Sequence, residues 1–208
     1  EDRLEVVRRP TDGYAVVHYP DDVTYGVVIP RSYARSKRNF DDTILPILVR
    51  SLERIGVPNG YDPFPERYGN IFVNGRKISG SAQNTVNGNV RLQHGIILMR
   101  RHDAQDYVRY INGEMDAGNI QAQMTSVEDE GGLDDPKNLI HAMSEEFPDQ
   151  LRKLGINLEA SSLTSEELQY AEELTRTKYE DTKWLLFGIR KQDKSSRIGC
   201  FTWKEELA

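Results

Sequence analysis

Arg8-Arg9-Pro10-Thr11-Asp12-Gly13-Tyr14-Ala15-Val16-Val17-His18 sets two guanidinium groups ahead of a glycine-containing turn and a strand-like run ending in histidine. Arginine binds phosphate or carboxylate bidentately, so the segment suits an anionic ligand; paired arginines also occur on plain solvated edges. Gly75-Arg76-Lys77-Ile78-Ser79-Gly80-Ser81-Ala82 puts a lysine just after a tight turn, followed by small residues that let a ligand reach the backbone. A lysine held there could grip an acyl carboxylate and a phosphate together, neutralising charge as an adenylate forms and breaks. The same pattern also describes an edge-strand lysine that blocks aggregation, with small residues for sheet packing. Gln93-His94-Gly95 carries a histidine in an apolar strand, either a hydrogen-bonded core residue or a catalyst. Glu128-Asp129-Glu130 with Asp134-Asp135 offers carboxylates to a divalent cation, but the spacing fits no calcium loop and reads as a solvated acidic loop.

These residues sit in a chain of 208 residues and 23.8 kDa, enough for one domain or a domain with a small appendage. Lys and Arg total 27 against 33 Asp and Glu, a net charge of −6 and a pI near 5.3, which leaves no overall basic field for nucleic acid. The single cysteine, Cys200, excludes an internal disulfide framework and a multi-thiolate zinc site within this chain. His18, His94, His102 and His141 are scattered and form no metal motif, and no apolar run approaches the ~20 residues of a membrane helix. The expected compartment is the cytoplasm. The opening Glu-Asp-Arg-Leu-Glu lacks Met and any signal-like apolar stretch, and reads as a processed chain or a fragment.

The elements that must position these groups are strands first and helices later, an α+β order. Tyr14–Tyr19 and Val23–Ile29 read as a hairpin around Pro20-Asp21-Asp22. Asp41-Asp42 opens a helix with Ile44, Leu45, Leu48, Leu52 and Ile55 on one face, Pro46 in its first turn and Gly56 at its end. Asn74-Gly75 predicts a type I′ hairpin, and a second Asn-Gly at 87–88 leads into the strand Arg91–Met99. Asp103–Asn112 reads as a short helix and Val127–Asp135 as a mobile acidic loop. Asp135-Pro136 starts a helix carrying Leu139, Met143, Phe147 and Leu151, and Thr164-Ser-Glu-Glu167 is a capping box for a helix running to about Tyr179.

Together the motifs resemble the lipoate–protein ligases and their octanoyltransferase relatives, which share a catalytic fold with the biotin–protein ligases. The family's Arg-Arg-x-(Ser/Thr)-Gly-Gly-x-Ala-Val-x-His is matched by Arg8–His18, with Asp12-Gly13 at the glycine pair, which brings a carboxylate beside the anionic ligand. Its lysine segment is matched by Gly69–Gln83 and its following strand by Gln93-His94-Gly95. The likeness continues to Lys178-Tyr179 and Trp184, covering roughly residues 5 to 187, with 188–208 left as a charged tail.

The resemblance implies a mixed, largely antiparallel sheet with packed helices, of the class II biotin/lipoyl ligase type, over 1–187. It implies ATP and Mg²⁺, and lipoate or octanoate as the acyl substrate. Lys77 would contact the acyl carboxyl and the phosphate. Arg9 with Gly13, Tyr14, Ala15, Val16 and Val17 would hold the nucleotide phosphate, and His18 would lie beside the acyl chain. Ser79, Gly80 and Ala82 would line the wall, and His94 joins the binding set. The implied acceptor is a lysine of a lipoyl carrier domain, of the glycine-cleavage H type or the 2-oxoacid dehydrogenase E2 type. An amino-terminal strand–helix–strand of the family and its small accessory domain are not in this sequence; a separate chain could supply the latter. Octanoyltransferases work through a cysteine thioester, and Tyr61–Tyr68, where one branch carries the thiol, has no cysteine. The ligase reading therefore leads, with octanoyl transfer and non-catalytic acyl or carrier binding as alternatives.

Overall fold

A computed structural model of the chain describes residues 5–11, 13–33, 37–58, 69–86 and 88–188. It divides into two units, Thr11–Glu159 and Glu1–Pro10 with Ala160–Ala208. The expected tail beyond residue 188, Asp12 and the Tyr61–Tyr68 stretch lie outside the described residues.

Among the described residues the larger unit holds four strands: β1 (Val23–Pro30), β2 (Asn70–Val73), β3 (Arg76–Val86) and β4 (Val90–Ile97). Their order is β1-β4-β3-β2 and every neighbouring pair is antiparallel. Asn74 (φ 51°) and Gly75 (φ 75°) form the expected I′ turn between β2 and β3, since both positions need the left-handed region. Val86 pairs with Val90 across the second Asn-Gly. The β2–β3 register slips between Ile71 and Phe72: Ile71 faces Ser79 but Phe72 faces Lys77, leaving Ile78 as the extra residue of a bulge.

The expected hairpin across Pro20-Asp21-Asp22 does not form. Asp22 closes a local turn instead, donating its N–H to the Tyr19 carbonyl (3.1 Å) and accepting the Tyr19 N–H on its carboxylate (2.7 Å). The Tyr19 ring stacks on His102 at 4.2 Å, so 14–19 runs extended without a ladder, and β1 pairs with β4 from Val23↔Ile97 to Pro30↔Val90.

One face of the sheet is covered by α1 (Lys37–Arg54) and α4 (Pro136–Lys153), which pack on each other. The periodic residues behave as predicted: Ile44, Leu45, Leu48, Leu52, Ile55, Leu139 and Leu151 are buried, and Met143 and Phe147 pack against them. Burial of each such side chain contributes about 1.5–3 kcal/mol before entropy is counted. α1 begins four residues before Asp41, so Pro46 lies inside it rather than in its first turn, and the Asp42 carbonyl lacks its i+4 donor. Asp135 caps α4 by accepting the Lys137 N–H (2.9 Å) ahead of Pro136. α2 (Ala104–Tyr110), capped by Asp103, and α3 (Ala117–Gln123), capped by Asp116, follow β4.

The acidic stretch 127–135 is pinned, not a mobile solvated loop. Val127 is fully buried, and its N–H and those of Glu128 and Leu133 donate to Leu98, Met99 and Ile55 carbonyls at 2.7–3.0 Å. Asp129 pairs with Arg101 (2.8 Å), Glu130 with Arg76 (2.7 Å) and Asp134 with Arg100 (3.3 Å). Burial opposes ionisation of Asp129, but hydrogen bonds from Arg101 and Ser126 outweigh it and hold the carboxyl below its ordinary range. Of the five carboxylates that looked like cation ligands, Asp129, Glu130 and Asp134 are thus arginine partners, Asp135 is a cap and Glu128 is exposed.

In the smaller unit, α5 (Ser165–Leu174) carries the predicted capping box, Glu167 N–H to Thr164 Oγ1 (3.2 Å) and Thr164 N–H to Glu167 Oε2 (2.7 Å). The α-helix ends at Leu174 and continues as a π-helical turn, Thr175–Tyr179, before α6 (Thr182–Phe187). Arg8 donates to the last carbonyls of α6, Leu185 (2.7 Å) and Leu186 (3.0 Å), and accepts from the Trp184 indole (3.0 Å). A cation there also complements the helix dipole, so the first arginine of the pair is a helix cap. The Lys178 ammonium lies 4.1 Å over Trp184 and 4.8 Å from the Tyr179 ring.

Candidate functional site

Alternation along β3 divides the lysine segment between the two sides of the sheet. Gln83 reaches Asp41 of α1 (2.6 Å), and Ser79 stands in register between the core residues Ile71 and Ile97. Ser79 is therefore on the α1 side, and its buried hydroxyl has no hydrogen-bond partner among the described residues. Gly80 and Ala82 are on the opposite side, paired with Ile96 and His94 of β4, and His94 pairs in turn with Gly26 of β1.

Lys77 joins that opposite side. Its chain is folded across Gly80: a Cβ at Gly80 would stand 2.9 Å from Nζ, 3.0 Å from Cε and 3.4 Å from Asn70 Oδ1. The absent side chain at Gly80 is what lets the ammonium lie there. We expect Gly80→Ala to leave the melting temperature nearly unchanged, because only the flexible end of Lys77 must shift. Acyl transfer should fall about tenfold, since small displacements of a catalytic group are costly; thermal melts beside steady-state rates check this.

His94 Nε2 lies 2.6 Å from Thr11 Oγ1, which ties the start of the Thr11–His18 segment to the same face. Its other end is tied down by Tyr19, whose hydroxyl bonds the Asp106 carboxylate and accepts the Asp103 N–H (3.1 Å). His102, fully buried, bridges Asp22 (2.8 Å) and Tyr107 (2.9 Å) beneath that ring. Between the ties Gly13, Tyr14, Ala15, Val16 and His18 are exposed, and Val17 is half-buried; Gly13 takes a φ of 107° that favours glycine. The structure thus brings Lys77, Gly80, Ala82 and His94 onto one face and anchors the Gly13–His18 segment at both ends. Arg9 belongs to the smaller unit.

Sequence reasoning missed the polar layer behind this face. The Gln93 amide donates to Tyr25 Oη (3.3 Å) and Ser81 Oγ (3.2 Å), and Gln83 donates to Gln93 (3.2 Å) as well as to Asp41. The signal was present as polar residues at the parity of buried positions. Burial pushes the Tyr25 hydroxyl up to about 12, and burial also raises Tyr19 and Tyr107. The unfolded chain ionises its tyrosines near pH 10, so stability should fall as pH rises above about 10 toward the folded values. Tyr25→Phe should flatten part of that slope in melting curves taken from pH 8 to 12. Among the described residues no group of three His, Cys, Asp or Glu is placed to hold a metal ion, and no helix is long and apolar enough to cross a membrane.

The model of the family described as lipoyl protein ligase A/B catalytic domain matches residues 1–148. The octanoyltransferase LipM of Kyrpidia tusciae is 30% identical over 86% of this chain and 73% of its own. Among solved structures, a bipartite lipoate protein ligase of Thermoplasma acidophilum, described with its E2 lipoyl domain, aligns with a TM-score of 0.73 at 22% identity over 90% of this chain and 72% of that one. A lipoate-protein ligase A bound with ATP aligns at 0.71 and 21% over 86% and 70%. At those identities the structures speak for the fold.

Proposed function

The chain belongs to the lipoyl protein ligase A/B catalytic-domain family, and on that premise we propose that it is the ATP-dependent member: a ligase that activates lipoate or octanoate and transfers it to a lysine of a lipoyl carrier domain. The observation that carries this reading is the Lys77 ammonium laid over Gly80, on the face that also holds Ala82 and His94. In the first step a carboxylate oxygen of the acid attacks the α-phosphorus of ATP and pyrophosphate leaves. In the second, the neutral amine of the carrier lysine attacks the acyl carbonyl, AMP departs and the amine loses a proton. The first step brings an anionic carboxylate against the charged α-phosphate, and the second builds negative charge on the carbonyl oxygen and the departing AMP oxygen; a fixed ammonium between carboxyl and phosphate lowers both barriers. Gly13–Val17 hold the phosphates in this reading, His18 lies beside the acyl chain with His94 in the binding set, and Gly80 and Ala82 give the ligand its approach to the backbone. Mg²⁺ enters with the triphosphate, whose oxygens are its usual ligands.

A second reading, octanoyl transfer from a carrier thioester, draws support from the relative of that name in Kyrpidia tusciae. It needs a thiol, and the chain's one cysteine, Cys200, lies beyond the 1–148 match. An acceptor of the E2 type draws support from the bipartite Thermoplasma protein, which is described with an E2 lipoyl domain; an H-type acceptor and a separate accessory chain are further parts of this reading. The cytoplasm is the compartment this reading assigns. The test is chromatographic: with lipoate, ATP and Mg²⁺, both the native chain and Cys200→Ser should release pyrophosphate and form lipoyl-AMP. Transfer from an octanoyl thioester alone, lost in Cys200→Ser, would establish the second reading instead.

A further inference from the structure

Glu130 is an acidic residue whose role neither the motifs nor the fold explains until its partners are followed. Its side chain is only 4% exposed, although it sits in a surface turn. Three donors converge on it: Arg76 Nη2 (2.7 Å) and Thr125 Oγ1 (2.5 Å) on Oε1, and Asn74 Nδ2 (3.1 Å) on Oε2. Asn74 is the first central residue of the I′ turn that launches β3 and Arg76 the residue that leaves it, so one carboxylate holds the turn and its exit immediately before Lys77.

Thr125 extends the link. Fully buried, it gives its hydroxyl to Glu130 and its N–H to the Lys77 carbonyl (3.0 Å), while Met124 forms an isolated parallel bridge with Lys77. Lys77 also stands at the β2–β3 bulge, where Phe72 faces it and Ile78 is the extra residue. A bulge re-aims side chains and is held only where neighbouring bonds over-determine it. Here the neighbours are the Thr125 N–H on the Lys77 carbonyl and the Leu98 N–H on the Ile78 carbonyl (3.0 Å).

We infer that Glu130, acting through Thr125 and Arg76, is the positioning residue that sets the direction of Lys77 across Gly80. It touches no substrate. A buried carboxylate with three donors is a rigid hub, because removing it would strand the fully buried Thr125 hydroxyl and release Arg76 from the turn. The inference rests on Lys77 being the residue that meets the reacting carboxyl.

The test measures kcat and KM for the acyl acid, with active sites titrated, in Glu130→Ala, Glu130→Gln, Thr125→Val and Thr125→Ser, each alone and each with Lys77→Ala. Glu130→Ala and Thr125→Val should lower kcat per folded site about tenfold or more with a small change in KM. Thr125→Ser, which keeps both donors, should restore the native rate, and Glu130→Gln, which keeps the acceptor, should recover part of it. In the Lys77→Ala background these changes should have no further effect on the residual rate, because the group they aim is gone. A merely structural role would reduce the folded fraction and multiply with Lys77→Ala; that result, or a native kcat in folded Glu130→Ala, overturns the inference. Full activity in Lys77→Ala itself would instead overturn the functional reading beneath it.

Discussion

Lys77→Ala should lower acyl transfer about 10²–10³-fold, the loss seen when one preorganised donor to developing negative charge is removed. Its fold should survive. The strand around Lys77 is held by backbone bonds, the Thr125 N–H on its carbonyl and its pairing with Phe72, and neither involves the ammonium. Its side chain lies on the face opposite α1 and α4, outside the packed cluster of Ile71, Ile78 and Ile97. Lys77→Arg should not rescue the rate, because a planar fork longer than the ammonium cannot occupy the same place over Gly80. Rates per active site, with a thermal melt of each variant, read both halves of this expectation.

Gly95→Ala should be the most damaging methyl group added to the sheet. A Cβ there would stand 2.6 Å from Tyr25 Oη and 2.7 Å from both Tyr25 Cε1 and the Gly80 carbonyl oxygen. The Tyr25 ring is buried and bonded to Gln93, and the carbonyl belongs to the strand that pairs Gly80 with Ile96. Neither can yield without disturbing the polar layer or the ladder. Overpacking of this kind costs on the order of 1–3 kcal/mol, which for a chain of this length is roughly 2–12 °C in melting temperature. Because the displaced carbonyl is that of Gly80, the bed of Lys77 moves with it, and transfer should fall as well. Gly26→Ala, where a Cβ would meet nothing within 4 Å, is the matched control and should melt near the native temperature.

Much of this architecture was legible in the residues, and where it was not the reason is physical. Ile44, Leu48 and Leu52 announce a helix because one face of a 3.6-residue period must be buried, and Asn74-Gly75 announces a turn because few other pairs accept positive φ twice. Pairing partners are another matter. Tyr14–Tyr19 has strand composition, but a local Asp22 turn and a tyrosine stacked on His102 divert it, and composition does not register a competitor 83 residues away. The acidic run 128–134 read as solvent-facing because its partners, Arg76, Arg100 and Arg101, are distant in sequence. Within the candidate site, the lysine and its glycine were visible as a motif. That Ser79 turns to the other side of the sheet follows from parity and the bulge, a geometric fact that needs the register. Arg8, half of an apparent anion-binding pair, proves to be the cap of α6.

The most direct measurement is the intact mass of an apo lipoyl domain after incubation with this protein, lipoate, ATP and Mg²⁺, with omission of ATP as the paired control. The ligase assignment requires a gain of one lipoyl group on the acceptor that depends on ATP and is lost in Lys77→Ala. An acceptor that stays unmodified, even when lipoyl-adenylate is supplied ready-made, would contradict it.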